Sequence, residues 1–211
     1  MNRIVSLSLI ILSFVVWSCA GTNQSGTTAE AETTPDSDAT AATTPEPEAP
    51  AAGSELFSVV TLVDTIPSPR KEMTTMVGDA KVTVNYGSPS VKGRTLWGDL
   101  VPYDKVWRTG ANEATVFETS ADLSISGQTL PAGRYSMFTI PGESDWTIIF
   151  NETADQWGHY QYDEGKDVMR VKAVPTMVEA NAETLEFMVP EAGTISMAWG
   201  GLVLPLTLAG A

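Results

Sequence analysis

Polar chemistry gathers in one stretch of the chain, Tyr86 to Glu113. Arg94 and Arg108 bring fixed positive charges with planar donors, a geometry suited to carboxylate or phosphate. Asn112 both donates and accepts hydrogen bonds, and Glu113 accepts them. Trp97, Tyr103 and Trp107 are aromatic walls for a sugar or an apolar ring. These seven residues form a candidate pocket for a small polar ligand or glycan. The competing arrangement is structural: an Arg108–Glu113 or Arg94–Asp99 pair pins a loop over the sandwich end, with the tryptophans as core. It has physical weight, because buried charges are normally paired and Trp is normally packed.

Catalytic chemistry has fewer footholds. His159, in Trp157-Gly158-His159-Tyr160, is the only imidazole base. No Gly-x-Ser-x-Gly elbow accompanies it. No residue is therefore assigned as catalytic. A carboxylate-based hydrolase or isomerase would draw on Asp99, Glu113 and Asp167. It would need two of them facing one cleft at roughly 5–9 Å. Asp163, Glu164 and Asp167 do not follow the spacing of a calcium loop, and Lys166 sits among them. Asp167 with Arg170 reads as an ion pair at a strand edge. One Cys and one His exclude a Cys/His zinc site, so neither metal nor cofactor is assigned. Twelve basic against 26 acidic residues, a net charge of -14, argue against a nucleic-acid partner.

The elements that must position the stretch are strands. Lys81–Tyr86 sets Val82, Val84 and Tyr86 on one face before Gly87-Ser88-Pro89 stops it. Further strand chemistry occupies 115–119, 134–140, 146–150, 168–174, 184–189, 194–199 and 202–208. Leu123 to Leu130 reads as a hairpin turning at Gly127-Gln128. Pro205 demotes the last strand to an edge or a bulge. Val59–Val63 and the methionines read as core filling. One short helical turn fits 152–157 or 178–183. The fold class is all-β: an antiparallel, jelly-roll-like β-sandwich of about eight to ten strands over 56–211. Tyr86–Glu113 is a long structured loop on it, and loops of this length in compact domains commonly carry function.

Residues 1–18 read as an export signal. Arg3 precedes a mostly apolar run, Ile4–Trp17, which is shorter than the ~20 residues of a membrane-spanning helix. Val16-Trp17-Ser18-Cys19 resembles a bacterial lipobox, which implies acylation of Cys19 and a membrane anchor. Residues 19–55 read as a disordered acidic linker. From Ala20 to Glu55 there are nine Ala, eight Thr, four Pro and seven acids, with no large apolar side chain to offset ordering entropy. Those seven acids leave 19 acids and 11 bases for residues 56–211, a charge of -8.

Several blocks resemble one bacterial family. They are Tyr86-Gly87-Ser88-Pro89-Ser90-Val91-Lys92-Gly93-Arg94, Val106-Trp107-Arg108-Thr109-Gly110-Ala111-Asn112-Glu113 and Leu130-Pro131-Ala132-Gly133-Arg134-Tyr135. Trp146-Thr147-Ile148-Ile149-Phe150-Asn151 and Asp167-Val168-Met169-Arg170-Val171 continue the match. The family is the domain of unknown function 2911, common in Bacteroidetes. The resemblance implies exported β-rich proteins. It carries no catalytic residue, because the family has no assigned activity. Where this chain has Asp104, the family pattern often has Gly. The favoured expectation is a cell-envelope lipoprotein, on the outer membrane, binding a small polar ligand, glycan or protein partner without catalysis. An enzyme and a structural envelope-assembly protein are the alternatives.

Overall fold

The computed structural model describes residues 56–211. The signal segment, Cys19 and the linker lie outside the described residues. Thirteen strands follow in chain order: β1 (Phe57–Val63), β2 (Arg70–Val77), β3 (Ala80–Gly87), β4 (Thr115–Thr119), β5 (Leu123–Ile125), β6 (Gln128–Leu130) and β7 (Gly133–Ile140). Then come β8 (Trp146–Asn151), β9 (Asp167–Ala173), β10 (Thr176–Met177), β11 (Glu186–Glu191), β12 (Thr194–Trp199) and β13 (Leu202–Gly210). One sheet runs β1-β2-β3-β4-β7-β8-β9; the other runs β11-β12-β13-β5-β6, with β10 also paired to β13. All pairings between strands are antiparallel. The fold is the expected all-β sandwich. The three strands beyond ten are β1, an apolar run that reads from sequence as core filling, β2, which opens on Arg-Lys-Glu, and β10, which has two residues.

The core between the sheets follows strand alternation. Val82, Val84 and Tyr86 of β3 are fully buried, as are Phe117 and Phe150 from β4 and β8. Ile195, Met197 and Trp199 of β12 close the opposite side. At one end, four indoles meet: Trp146 of β8, Trp199 of β12, and Trp97 and Trp107 from the long loop. Trp97 lies edge-on to Trp146 at 4.9 Å and to Trp199 at 5.7 Å, and Trp107 stacks on Trp199 at 5.9 Å. Such pairs each add about 0.5–1.5 kcal/mol beyond their buried area.

Five expectations need correction. Val59, Val60, Leu62 and Val63 are exposed, because β1 is an edge strand pairing only with β2 among the described residues. Met73, Met137, Met169 and Met197 are core, whereas Met76 and Met177 are exposed. Pro205 lies on an interior strand, β13. The N–H of Leu208 donates to Gly193 O on the β12 side, so strand alternation turns the nitrogen of residue 205 the other way. There β10 covers 202–203 and β5 covers 208–210, leaving a window in which no donor is required. The β5–β6 hairpin turns at Ser126-Gly127, one residue earlier than expected; both have positive φ, 51° and 77°, as a type I′ turn demands. The helical turn falls at Glu164–Lys166, where the Asp163 side chain accepts from the Gly165 N–H.

The loop from 88 to 114 is fixed at both ends. The Val91 N–H donates to Glu183 O at 2.7 Å, and that of Leu185 to Pro89 O at 2.9 Å. Trp107 exchanges both backbone bonds with Thr139 of β7, at 2.8 and 2.9 Å. Beyond it the backbone turns sharply, with φ of 55° at Thr109 and 63° at Asn112. A β-branched residue in that region is strained by roughly 1–3 kcal/mol and persists only when its surroundings over-determine it. They do: the Thr109 hydroxyl meets that of Thr139 at 3.2 Å, and Thr109 O accepts from the Thr115 hydroxyl at 2.8 Å. The returning chain lies directly on Gly87, where a Cβ would stand 2.1 Å from Ala111 O.

Two stability outcomes follow. Trp146→Ala is expected to lower the unfolding free energy by about 3–5 kcal/mol in urea denaturation; a loss under ~1 kcal/mol would mean that the indole cluster does not hold the sandwich end. Gly87→Ala is expected to destabilise by roughly 2 kcal/mol or more by driving the 109–112 backbone off β3. Hydrogen exchange in that segment reads the displacement directly.

Candidate functional site

Over the indole cluster the loop encloses a cleft of about 610 Å³. Arg94, Lys105, Arg108, Asn112 and His159 line it, with Trp107 and Trp199 beneath and Leu100 and Val106 on its apolar side. No carboxylate is among its lining residues. The described domain has five arginines. Arg70, Arg134 and Arg170 are ion-paired; Arg94 and Arg108, the two in the cleft, are not.

Arg108 is half-buried, and its Nε is buried with no hydrogen-bond partner. Burial holds its pKa below the ordinary arginine value, against a smaller upward pull from Tyr160. A guanidinium remains protonated under such a shift. Its direction follows from the turn around it: Trp107 enters the indole cluster, and its neighbour takes the opposite side. Arg94 is seated on backbone, Nε to Val91 O at 2.9 Å and Nη2 to Ser90 O at 2.5 Å. The Asn112 side-chain amide donates to Ser68 O at 3.3 Å. His159 stacks on Tyr160 with ring centres 4.9 Å apart.

Of the seven residues singled out in the sequence, Arg94, Trp107, Arg108 and Asn112 therefore share one cleft. Trp97, Tyr103 and Glu113 do not line it. Trp97 belongs to the indole cluster. The Tyr103 ring lies over Gly98, whose φ is 85° and where a Cβ would stand 3.0 Å from Cε2. Glu113 is 3.6 Å from Arg70, and Arg94 is bonded to backbone carbonyls; neither the Arg108–Glu113 nor the Arg94–Asp99 pair is among the ion pairs of the described residues. Asp104 has φ 56°, which explains why glycine suits that position; the turn persists with Asp in it.

The carboxylates of the enzymatic alternative do not converge. Glu113 lines a different cleft, and Asp99 sits in an exposed turn. Asp167 accepts from Asn151 Nδ2 at 2.8 Å, from the Tyr162 hydroxyl at 2.7 Å and from Arg170 at 2.7 Å, the ion pair foreseen from sequence. Burial and this carboxylate together push the Tyr162 hydroxyl well above the ordinary phenol range. Lys105, Ser68 and Tyr162 are cleft residues that the sequence reading missed. Lys105 lies in the stretch already singled out; Ser68 and Tyr162 arrive from distant segments and left no local signal.

A thin wall separates the two clefts. The Ala114 N–H donates to Gln156 O at 3.0 Å and the Gly158 N–H to Asn112 O at 3.1 Å, with a bridge between Glu113 and Trp157. Asn112 and His159 line the basic cleft, and Gly158 between Trp157 and His159, with φ of 66°, breaks the extended alternation there. Glu113, Gln156 and Trp157 line the second, of about 530 Å³, which also contains Arg70 and Asp155.

No curated protein and no solved structure matches the chain. The profile of one family does, over residues 68–208, a span that covers every strand from β2 to β12, most of β13, the lining of the basic cleft, and that of the second cleft except Val63 and Ile66. The chain belongs to that family, described as protein of unknown function DUF2911.

Proposed function

We propose that the protein is a lipid-anchored protein of the cell envelope whose β-sandwich binds a small anionic ligand, without catalysis, in the cleft under the 88–114 loop. The observation that carries this reading is Arg108. It is a half-buried guanidinium with a bare Nε and no acidic partner, beside Arg94, Lys105 and His159 in a cleft lined by no carboxylate. Residues 56–211 carry a net charge of -8, so an acid-free basic cleft is not what composition alone would place there. A carboxylate or phosphate supplies the acceptors this set lacks, in charge-assisted bonds worth about 1.5–3 kcal/mol each. Leu100, Val106 and Trp107 give the same cleft an apolar side for the remainder of a small organic anion.

The envelope part of the reading rests on the lipobox-like segment ending at Cys19 and on the acidic tether behind it. A diacylated Cys19 would hold the domain at a membrane, since stable anchoring takes two acyl chains at ~0.8 kcal/mol per buried methylene. The outer membrane is the proposed location. Cys19→Ser is expected to abolish palmitate incorporation and to release the protein from the membrane fraction. A wild-type chain that takes up no palmitate refutes the anchor.

Calorimetric titration with inorganic phosphate and with a panel of mono- and dicarboxylates tests the cleft. At least one of these anions is expected to bind, and Arg108→Met to weaken it by about tenfold or more. The same substitution is expected to leave the thermal midpoint unchanged or raised, because it removes a buried cation that has no protein partner. Absence of heat with every anion refutes the reading, as does a collapse of the fold in Arg108→Met.

A further inference from the structure

We infer that the second cleft, on the other side of the 112–114/156–158 ribbon, is a saccharide site that takes a neutral pyranose. The inference is independent of the basic cleft and of any anion bound there. Its residues are Arg70, Glu113, Asp155, Gln156 and Trp157, with Ile66 at the rim.

Two unpartnered polar atoms define what the ligand must offer. Gln156 is 6% exposed, and its Oε1 is buried without a hydrogen bond. The orientation of its amide is not arbitrary. Nε2 donates to Thr153 O at 2.8 Å and meets the Ser136 hydroxyl at 3.1 Å, and a carbonyl oxygen accepts only from a donor. Oε1 is therefore the atom left over, and it is an acceptor. Arg70 is the complement. Its Nε donates to Asn85 Oδ1, and its Nη2 lies 3.2 Å from Asn85 O and 3.4 Å from Ala114 O. Nη1 is buried and makes no hydrogen bond; Glu113 Oε2 stands 3.6 Å away, an ion pair beyond hydrogen-bond reach. A spare donor and a spare acceptor thus lie buried in the cleft wall beside a half-exposed carboxylate. One group answers all three, because a hydroxyl both donates and accepts.

Charge distinguishes this cleft from its neighbour. Arg70 is balanced by Glu113, and Asp155 is held by Arg134, which Glu118 also approaches at 3.7 Å. No unpaired charge remains to reward an ionic ligand, so the hydroxyl donors and acceptors belong to a neutral molecule. Trp157 supplies the other half of sugar recognition. It is 60% exposed, whereas Trp107, Trp146 and Trp199 are at most 8% exposed. An indole left in water offers its face to the C–H side of a pyranose. The exposed Ile66 and Val63 continue that apolar surface.

Saturation-transfer NMR on the full chain tests the site, with glucose, galactose, mannose and N-acetylglucosamine as probes, at concentrations suited to affinities on the order of millimolar. At least one sugar is expected to receive saturation through its ring protons. Trp157→Ala is expected to abolish the transfer, Trp157→Phe to restore part of it, and Glu113→Gln to weaken binding several-fold. Both positions are exposed, so circular dichroism is expected to be unchanged in all three variants. The inference is overturned if none of the four sugars receives saturation, or if transfer persists undiminished in Trp157→Ala. Phosphate or carboxylate binding in the basic cleft, measured on the same variants, is expected to be unaffected; failure at one cleft therefore leaves the reading of the other standing.

Discussion

The packing of four indoles at one end of the sandwich is the interaction on which the rest depends. Trp146 comes from the seven-stranded sheet, Trp199 from the other, and Trp97 and Trp107 from the loop between β3 and β4. One cluster thus joins both sheets and the loop. It tolerates an evident cost, since Nε1 of Trp97 and of Trp199 are buried without partners. An unmade bond of this kind costs about 1–3 kcal/mol, which the apolar burial of four large rings offsets. A loop held only by its ends would fray. This one has its middle driven into the core, and the orientation of the loop's own cleft residues follows from that.

The path of the chain after Trp107 shows how. The backbone must bond Thr139, clear Gly87 and return to start β4 at Thr115 within a few residues. It does so through left-handed conformations at Thr109 and Asn112. The second of these precedes the ribbon with 156–158, along which Glu113 passes to the far side of the wall. Arg108 and Glu113 are five residues apart in sequence, yet they line different clefts. Backbone geometry, rather than a charge deficit, leaves Arg108 without an acid. The acid that could have met it is committed to Arg70.

What the sequence made legible, and what it hid, divides along the same lines. Strands with clean period-two alternation, such as Val82-x-Val84-x-Tyr86, were legible because alternation reports directly on a two-sided element. The gathering of arginines and aromatic rings in the loop was legible through its composition. Pairing within it was not, because side-chain direction there depends on positive-φ residues, and Thr109 gives no local sign of being one. Val59–Val63 misled because strand propensity says nothing about whether a strand lies inside a sheet or at its edge. Pro205 misled for the opposite reason: it marks a missing donor, and an interior strand with a local gap on one side tolerates that as well as an edge does. Arg70 and Gln156 stayed hidden because β2 carries a charged start and residues 152–158 no periodicity at all.

The two clefts also explain each other. Ion pairs left unmade on one side of the ribbon are made on the other, so two cavities of similar volume differ in kind. In the second, cations and carboxylates cancel, and what remains are individual unmatched atoms on Arg70 and Gln156. In the first, whole charges remain. A half-buried unpaired guanidinium lowers stability, and a hydrophobic residue at position 108 would pack beside Val106 and Leu100 without that penalty. A neutral side chain there would satisfy the fold equally well; Arg108 is better accounted for by something that comes to the cleft than by anything already in it.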